Sequence, residues 1–477
     1  MELEKIVQFL ENKTILVTGA TGFLGKMLVE KVLRVQPNVK KLYLLIRASD
    51  SHSASQRMYT EVIGKELFRV LMEKWDTNFE SLIAEKVAAI SGDVSCENLG
   101  LDVNDMEKLW KDIDVIVNSA ATTSFDGRYD VALGTNTLGV LHVLSFAKKC
   151  TNLKMLFHLS TAYVCGERDG LILEDEMFYT GKTLKVTSKL DFKEEQKLMA
   201  EKLEELRDQN ASADTITTIM RDFGIQRAKL YGWPNTYVFT KAMGEICLRN
   251  SKENFPLVII RPTMVTSSYK EPFPGWIEGL RTIDSVIVGY GKGKIPGDMV
   301  INIILAAMAA HANQSSDATI YQIGSSLKNP IDMPNIRRFF FQYFTKNPLE
   351  GKKGNPVKVG KLVLLSNAAV LQMYMLIRFM LPIKILMLGS IATCQNFHDT
   401  YRKNKRKLEL TMRLIELYKP YVFFSGKFDD GNSEQLRLTL RKSCKEMEMF
   451  NFDPKSIDWE DYIMNTHIPG LIKYVMK

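Results

Sequence analysis

Residues 14–25 read TILVTGATGFLG. A short apolar run meets three glycines, Gly19, Gly22 and Gly25, and helix-forming sequence continues to Val35. Glycines so spaced allow a tight turn, let backbone approach a pyrophosphate, and leave room for the helix to pack on a sheet. The helix N-terminus then offers free N–H groups to the phosphate. An ordinary glycine-rich turn between strand and helix would read the same, so the neighbouring sequence has to decide.

Working outward, apolar runs recur at 41–47 (KLYLLIR), 86–93 (KVAAISGD), 114–120 (DVIVNSA), 154–160 (KMLFHLS) and 257–265 (LVIIRPTMV). Amphipathic stretches lie between them, such as Gly25–Val35, Leu101–Ile113 and Asn136–Cys150. Strands alternating with helices predict βαβ units, and continuous apolar runs predict strands buried on both faces. The fold class expected is α/β: a doubly wound parallel sheet with a smaller helical C-terminal domain. The expected bounds are 1–325 for the sheet domain, 326–394 for a basic then apolar connecting segment, and 395–477 for the helical domain. KLDFKEEQKLMAEKLEELRDQ (189–209) reads as a solvated helix inserted between core elements. The segment 362–394 is the most apolar in the chain, but Arg378, Pro382 and Lys384 interrupt it. A buried or membrane-surface helical pair is favoured there over a span.

The 477 residues include 63 Lys plus Arg and 55 Asp plus Glu, for a formal charge of +8, and 45% are hydrophobic. This is ordinary globular composition. So mild a basic excess does not argue for nucleic acid; a phosphate-bearing small ligand or an anionic membrane surface suits it equally. Six scattered cysteines without C-x-x-C point to reduced thiols in a cytosol-facing protein. Six dispersed histidines without H-E-x-x-H point away from a protein-bound metal. The charged start, MELEKIVQFLENK, leads straight into a strand, so no targeting peptide is expected.

The candidate residues fall at strand ends. Thr18, Thr21, Phe23 and Leu24 complete the glycine turn. Arg47 stands where an acidic residue would bond a ribose 2′-hydroxyl; an Arg suits a 2′-phosphate instead, which favours NADPH over NADH. A solvent-facing Arg at a strand end is the competing explanation. Asp93, followed by Val94, can accept from an adenine amino group or cap its own turn. The small residues around Ala120 would admit a cofactor closely. Ser160 and Thr161 lie at the carboxyl edge of a strand, where doubly wound folds bind ligands. Tyr237 and Lys241 share a helix face four residues apart. A carbonyl that receives hydride needs a proton and a hydrogen-bond donor. A lysine ammonium one turn away would favour the phenolate and lower the tyrosine pKa from about 10.

The order of glycine turn, strand-end hydroxyl and Y-x-x-x-K resembles the short-chain dehydrogenases/reductases, of the extended type with a Rossmann-like sheet. The likeness goes further. LVTGATGFLGK, VQPNVKKLYLLIRASD, AATTSFDGRYDVALGTNTLGV, HLSTAYVCGE, GWPNTYVFTKAMGE, PLVIIRPTMV, PFPGWIEGLRTID, YKPYVFFSGKFDDGN and NFDPKSIDWEDYIMNTHIPGL resemble the alcohol-forming fatty acyl-CoA reductases, most closely the plant ones. The resemblance covers essentially the whole chain. It implies reduction of a long-chain acyl-CoA through an aldehyde to a primary alcohol, with NADPH as cofactor and release of CoA. It places Gly19, Gly22 and Gly25 on the pyrophosphate, Arg47 near the 2′-phosphate, and Thr161, Tyr237 and Lys241 at the chemistry, with Ser160 as the alternative to Thr161. It also implies the cytosolic side of the endoplasmic reticulum, against a cytoplasmic alternative, with peripheral membrane contact, and it leaves a homo-oligomer open. Other extended-type reductases remain a competing enzyme class, although they lack both the apolar segment and the C-terminal domain.

Two departures from the family stand out. Gly25 is commonly Ala in plant members, and either residue is expected to be small enough for the helix to pack. VGYGKGK (288–294) runs directly into IPGDMVINIILAAM (295–308), where the family carries a further apolar segment of about one strand and its loop. Its loss is expected to remove buried area, shift the helix that follows, and threaten turnover more than cofactor binding. A shortened, catalytically silent form that still binds NADPH is therefore the alternative to an active enzyme.

Overall fold

The structure is a computed structural model that describes residues 5–174, 190–249, 255–279, 293–312, 318–350, 355–357, 360, 365, 367–392, 398–441 and 444–476. The stretch 288–292 before the proposed join, and residues 362–364, 366 and 393–394 of the apolar segment, lie outside the described residues.

The apolar runs form strands β1 (Thr14–Thr18), β2 (Lys41–Ile46), β3 (Val87–Ser91), β4 (Val115–Asn118) and β5 (Met155–Leu159). A two-residue strand follows as β6 (Leu171–Ile172), then β7 (Leu257–Pro262), β8 (Met264–Thr266), β9 (Lys294–Pro296), β10 (Ala318–Ile323) and β11 (Lys427–Phe428). Seven of them make one sheet in the order β10-β7-β5-β4-β1-β2-β3, every pair parallel. The order reverses direction between β1 and β4, which opens a crevice at their carboxyl ends. LVIIRPTMV, read as one strand, divides at Thr263, whose N–H goes to Ile323 O at 2.8 Å. Beyond it β8 leaves the sheet and pairs with β9, so the proposed 294/295 join lies inside a short parallel pair.

Leu16, Ile116, Leu156 and Ile259 line one face of the sheet against Val143, Leu144 and Phe146 of helix Gly139–Ala147. Two residues further along the strands, on the same face, the register changes character. Thr18, Asn118 and His158 stand side by side across β1, β4 and β5 and form a buried polar row. Helix Gly297–Ala310, after the join, is buried almost throughout and packs on helix Phe23–Val35. That explains why it is apolar on all sides.

The inserted helix, Phe192–Asp208, is mostly exposed as expected, but it is anchored at Glu195 and Leu206. Glu195 is fully buried and accepts from Tyr129 Oη at 2.7 Å, Tyr231 Oη at 2.9 Å and the Arg227 guanidinium. A satisfied ion pair of this kind fixes geometry, because removing either partner leaves a buried charge.

The chain divides into two compact units, one of Met1–Ser285, Lys292–Ile331 and Gly426–Lys477, the other of Val286–Gly291 and Asp332–Ser425. This differs from the expected bound at 395, because the last fifty residues pack with the sheet. β11 pairs with β6, and Gln322 on β10 donates to Ile172 O and Asp429 O. Tyr462 Oη donates to Thr266 Oγ1 at 2.8 Å, and Trp459 Nε1 to Asn329 O at 2.9 Å. Gly470 lies so close to Gly275 that a Cβ there would sit 2.0 Å from the Gly275 oxygen.

Glu174 joins this seam, taking the backbone N–H groups of Gln322, at 2.8 Å, and of Asn432. Burial pushes its carboxyl up to about 8, and the two backbone hydrogen bonds only partly oppose that. A carboxyl raised in the folded state contributes stability that is lost as pH rises through its folded pKa. The difference between the wild type and Glu174→Gln isolates this group. The variant's urea midpoint is expected to rise relative to the wild type between pH 6 and pH 9, and equal slopes would refute the assignment.

The second unit is helical. Helix Met333–Lys346 is capped by Asp332, which accepts from Asn335 N at 2.8 Å. A continuous helical stretch then runs from Ala368 to Ala392, and helix His398–Val422 carries the basic run YRKNKRK. Ala368–Leu388 is long and apolar enough to cross a membrane, and only 6% of its most apolar window is buried. Met373, Ile377, Ile385 and Leu388 are each more than half exposed. Of the two arrangements expected here, buried or membrane-surface, the buried one does not hold, since these side chains are not packed into the unit.

Candidate active site

The glycine turn has the shape a dinucleotide requires. Gly19 has φ +70°, and a Cβ there would meet Ala120 N at 2.6 Å. Gly22 is exposed and caps helix Phe23–Val35 with no side chain of its own. A Cβ on Gly25 would stand 2.4 Å from Gly19 O, a backbone atom that cannot swing aside. This corrects the expectation that Ala fits at 25 equally well: here the helix crosses its own turn too closely. Thr21 and Leu24 are half-buried on the same turn, and Phe23 stacks on Trp276 with centroids 5.1 Å apart.

Thr18 holds the turn to the rest of the crevice. Its hydroxyl accepts from Ala120 N at 3.1 Å and donates to Asn118 Oδ1 at 2.7 Å. The Asn118 amide nitrogen must then donate to His158 Nδ1, 3.2 Å away, which leaves the proton of the neutral imidazole on Nε2. Burial first, and the charge of Lys241 second, hold His158 well below the usual imidazole range.

Arg47 follows β2 as an exposed residue at the crevice edge, its carbonyl held by the Arg57 guanidinium. Asp93 serves its own turn: one carboxylate oxygen takes Ser95 N at 2.9 Å and Ser95 Oγ at 2.8 Å. Val94 is buried, with its carbonyl 2.9 Å from His142 Nδ1.

Thr161 and Tyr237 are brought together. Thr161 follows β5 and caps a short turn by accepting from Tyr163 N, and its side chain is near enough to the Tyr237 phenol to pull its pKa down. Ser160 sits beside it with its backbone N–H on Ile260 O at 2.7 Å and its buried hydroxyl without a hydrogen bond. Burial pushes Tyr237 up to about 12, against the opposing pull of the Thr161 side chain. The expected lowering by Lys241 is not seen, for a geometric reason. The Lys241 ammonium is turned to Leu159 O at 2.6 Å, and burial lowers its own pKa to about 8. The tyrosine is accordingly a protonated phenol, equipped to give a proton rather than take one.

Three residues that shape the site were not singled out from the sequence. Phe125 stacks on Tyr237 with centroids 6.1 Å apart, and its carbonyl accepts from Thr236 N. Asn136 bonds Thr122 through both backbone groups and donates to Thr240 Oγ1 at 3.0 Å, fastening helix Thr236–Arg249 to the crevice wall. His158 is the third. The one local signal for such close approach is Gly244 in KAMGE, where a Cβ would lie 2.3 Å from Asn136 O.

Residues 17–311 match an NAD-binding family described as "Male sterility protein", and residues 378–477 match a second family described in the same words. The reductase domain of a non-ribosomal peptide synthetase from Mycobacterium tuberculosis shares the fold, with a TM-score of 0.57 at 17% identity over 99% of this chain and 96% of that one. "Fatty acyl-CoA reductase 1" of Arabidopsis thaliana is 52% identical over 488 positions, covering 99% of both chains. That span exceeds the 477 residues here by eleven, so at least eleven of its positions have no residue in this chain. "Alcohol-forming fatty acyl-CoA reductase" of Simmondsia chinensis is 49% identical over 100% of this chain and 99% of its own. With an NAD-binding sheet, a strand-end hydroxyl on the Y-x-x-x-K tyrosine and relatives alike from end to end, the chain belongs to the fatty acyl-CoA reductases.

Proposed function

We propose that this chain reduces long-chain acyl-CoA to primary fatty alcohol by way of the aldehyde, releasing CoA and drawing on NADPH. The observation that carries the reading is the meeting of Tyr237, on the helix that also bears Lys241, with Thr161 at the carboxyl edge of β5 in an NAD-binding sheet. Gly19, Gly22 and Gly25 would cradle the pyrophosphate, and the exposed Arg47 at the end of β2 favours a 2′-phosphate. Bound NADPH supplies the hydride for each of the two reductions. The chain's own part is to hold and move protons. Tyr237 gives its phenolic proton to the substrate oxygen that gains charge, and Thr161 donates a hydrogen bond to the same region. Lys241, poised near neutrality, makes up the tyrosine's proton. Phe125 keeps water from that face of the ring.

The exposed apolar helix Ala368–Leu388 and the basic helix His398–Val422 fit peripheral contact with the cytosolic face of the endoplasmic reticulum. Apolar side chains would enter the acyl boundary while Lys and Arg face anionic headgroups.

A second reading has its own observation. The join at 294/295 buries the Lys294 side chain, and burial pushes its pKa down to about 7. The experiment is to incubate this chain, and a version with a family-length segment restored between Lys294 and Ile295, with NADPH and C16–C18 acyl-CoA. Alcohol from both supports the active reading, and alcohol from the restored version alone supports the silent one. If neither makes alcohol, the proposed activity is wrong.

A further inference from the structure

We infer that Glu245 and Arg261 form a buried charge pair that positions Lys241 and sets its proton affinity, an inference that rests on the assignment of Lys241 made above. Tyr237, Lys241 and Glu245 follow one another at four-residue spacing on helix Thr236–Arg249, so they form one stripe. Lys241 and Glu245 are each 1% exposed. Arg261 reaches across from β7, with Nε 3.0 Å from Glu245 Oε1 and Nη2 2.5 Å from Oε2. Both carboxylate oxygens are therefore held by one planar fork, the geometry in which Arg differs from Lys. Arg261 is itself anchored, with Nη1 3.4 Å from Glu174 O.

The elements packed on this helix bring Tyr129 and Asp130 from Tyr129–Leu133, His142 from Gly139–Ala147, Tyr163 and Cys165 from Ala162–Cys165, and Asp214, Arg221, Asp222, Arg227, Lys229 and Tyr231 from Ala213–Tyr231. The electrostatic coupling of Lys241 runs instead to Glu245 on its own helix and to His158 on β5. His158 is neutral and supplies no compensating charge. Glu245 is thus the anion that keeps the desolvated ammonium protonated, and Arg261 limits how far it does so. A lone buried carboxylate would hold the lysine proton too tightly to release it, and a lone arginine would expel it. The pair leaves Lys241 able to exchange its proton near neutral pH, as a group that resupplies Tyr237 must.

The test reads the lysine directly. The full-length chain is labelled with 13C at lysine Cε and titrated by NMR, with Lys241→Met identifying the resonance. Glu245→Gln is expected to weaken proton binding at Lys241 by about tenfold or more, Arg261→Gln to strengthen it, and the double variant to fall between them. Opposite shifts are the signature, since loss of a merely structural contact has no reason to change sign with the charge removed. Unchanged midpoints, or shifts in the same direction, overturn the inference. Either single variant strands a buried charge; if one does not fold, the double variant, whose two amides can bond each other, still carries the test with the remaining single. The titration needs no turnover, so absence of alcohol in the activity assay counts against the proposed function without touching this result.

Discussion

Tyr237→Phe is expected to reduce fatty alcohol formation by about 10²- to 10⁴-fold, the range over which a positioned acid–base group contributes. Phe keeps the ring that stacks on Phe125, so the fold and the dinucleotide site should survive and only the proton is withdrawn. Acyl-CoA turnover with NADPH, measured as alcohol released, is the readout, with NADPH binding by fluorescence as the control. Thr161→Ala should lose less, because its hydroxyl only assists the phenol and the turn it caps is held elsewhere. A Ser160→Ala loss larger than that of Thr161→Ala would reverse the choice between the two hydroxyls. Alcohol output from Tyr237→Phe equal to the wild type would remove the tyrosine from the mechanism.

Gly19→Ala should abolish tight dinucleotide binding by a different route. The residue lies at φ +70°, where an L side chain is strained by roughly 1–2 kcal/mol. The added methyl would also press on Ala120 N at 2.6 Å, and overpacking of this kind typically costs about 1–3 kcal/mol. Relief can come only by opening the turn that would hold the pyrophosphate. NADPH affinity is expected to fall at least about tenfold, because 1.4 kcal/mol is already a factor of ten. Gly25→Ala should follow in the same direction, as its Cβ meets the Gly19 carbonyl. Unchanged affinity in Gly25→Ala would show that the turn relaxes more readily than its packing implies.

The alternation of apolar runs and amphipathic stretches determined the parallel sheet, because strands covered on both faces must be apolar throughout. The strand-to-glycine junction at 14–25 likewise located the turn, since glycine takes the positive φ of Gly19 without strain. Thr161 and Tyr237 were legible for a related reason: a strand end and a helix face are short-range features that spacing encodes. What lies across the sheet was not legible. Thr18, Asn118 and His158 are far apart in sequence and meet only through strand register, so no local pattern announces them. The same is true of Glu245 and Arg261, and of the return of residues 426–477 to the sheet, which depends on single pairings such as Gly470 against Gly275. The tyrosine's pKa, too, moved opposite to expectation. Helical spacing fixes how near Lys241 comes, but only the tertiary structure decides that its ammonium turns to Leu159 O and that burial, not charge, governs the phenol.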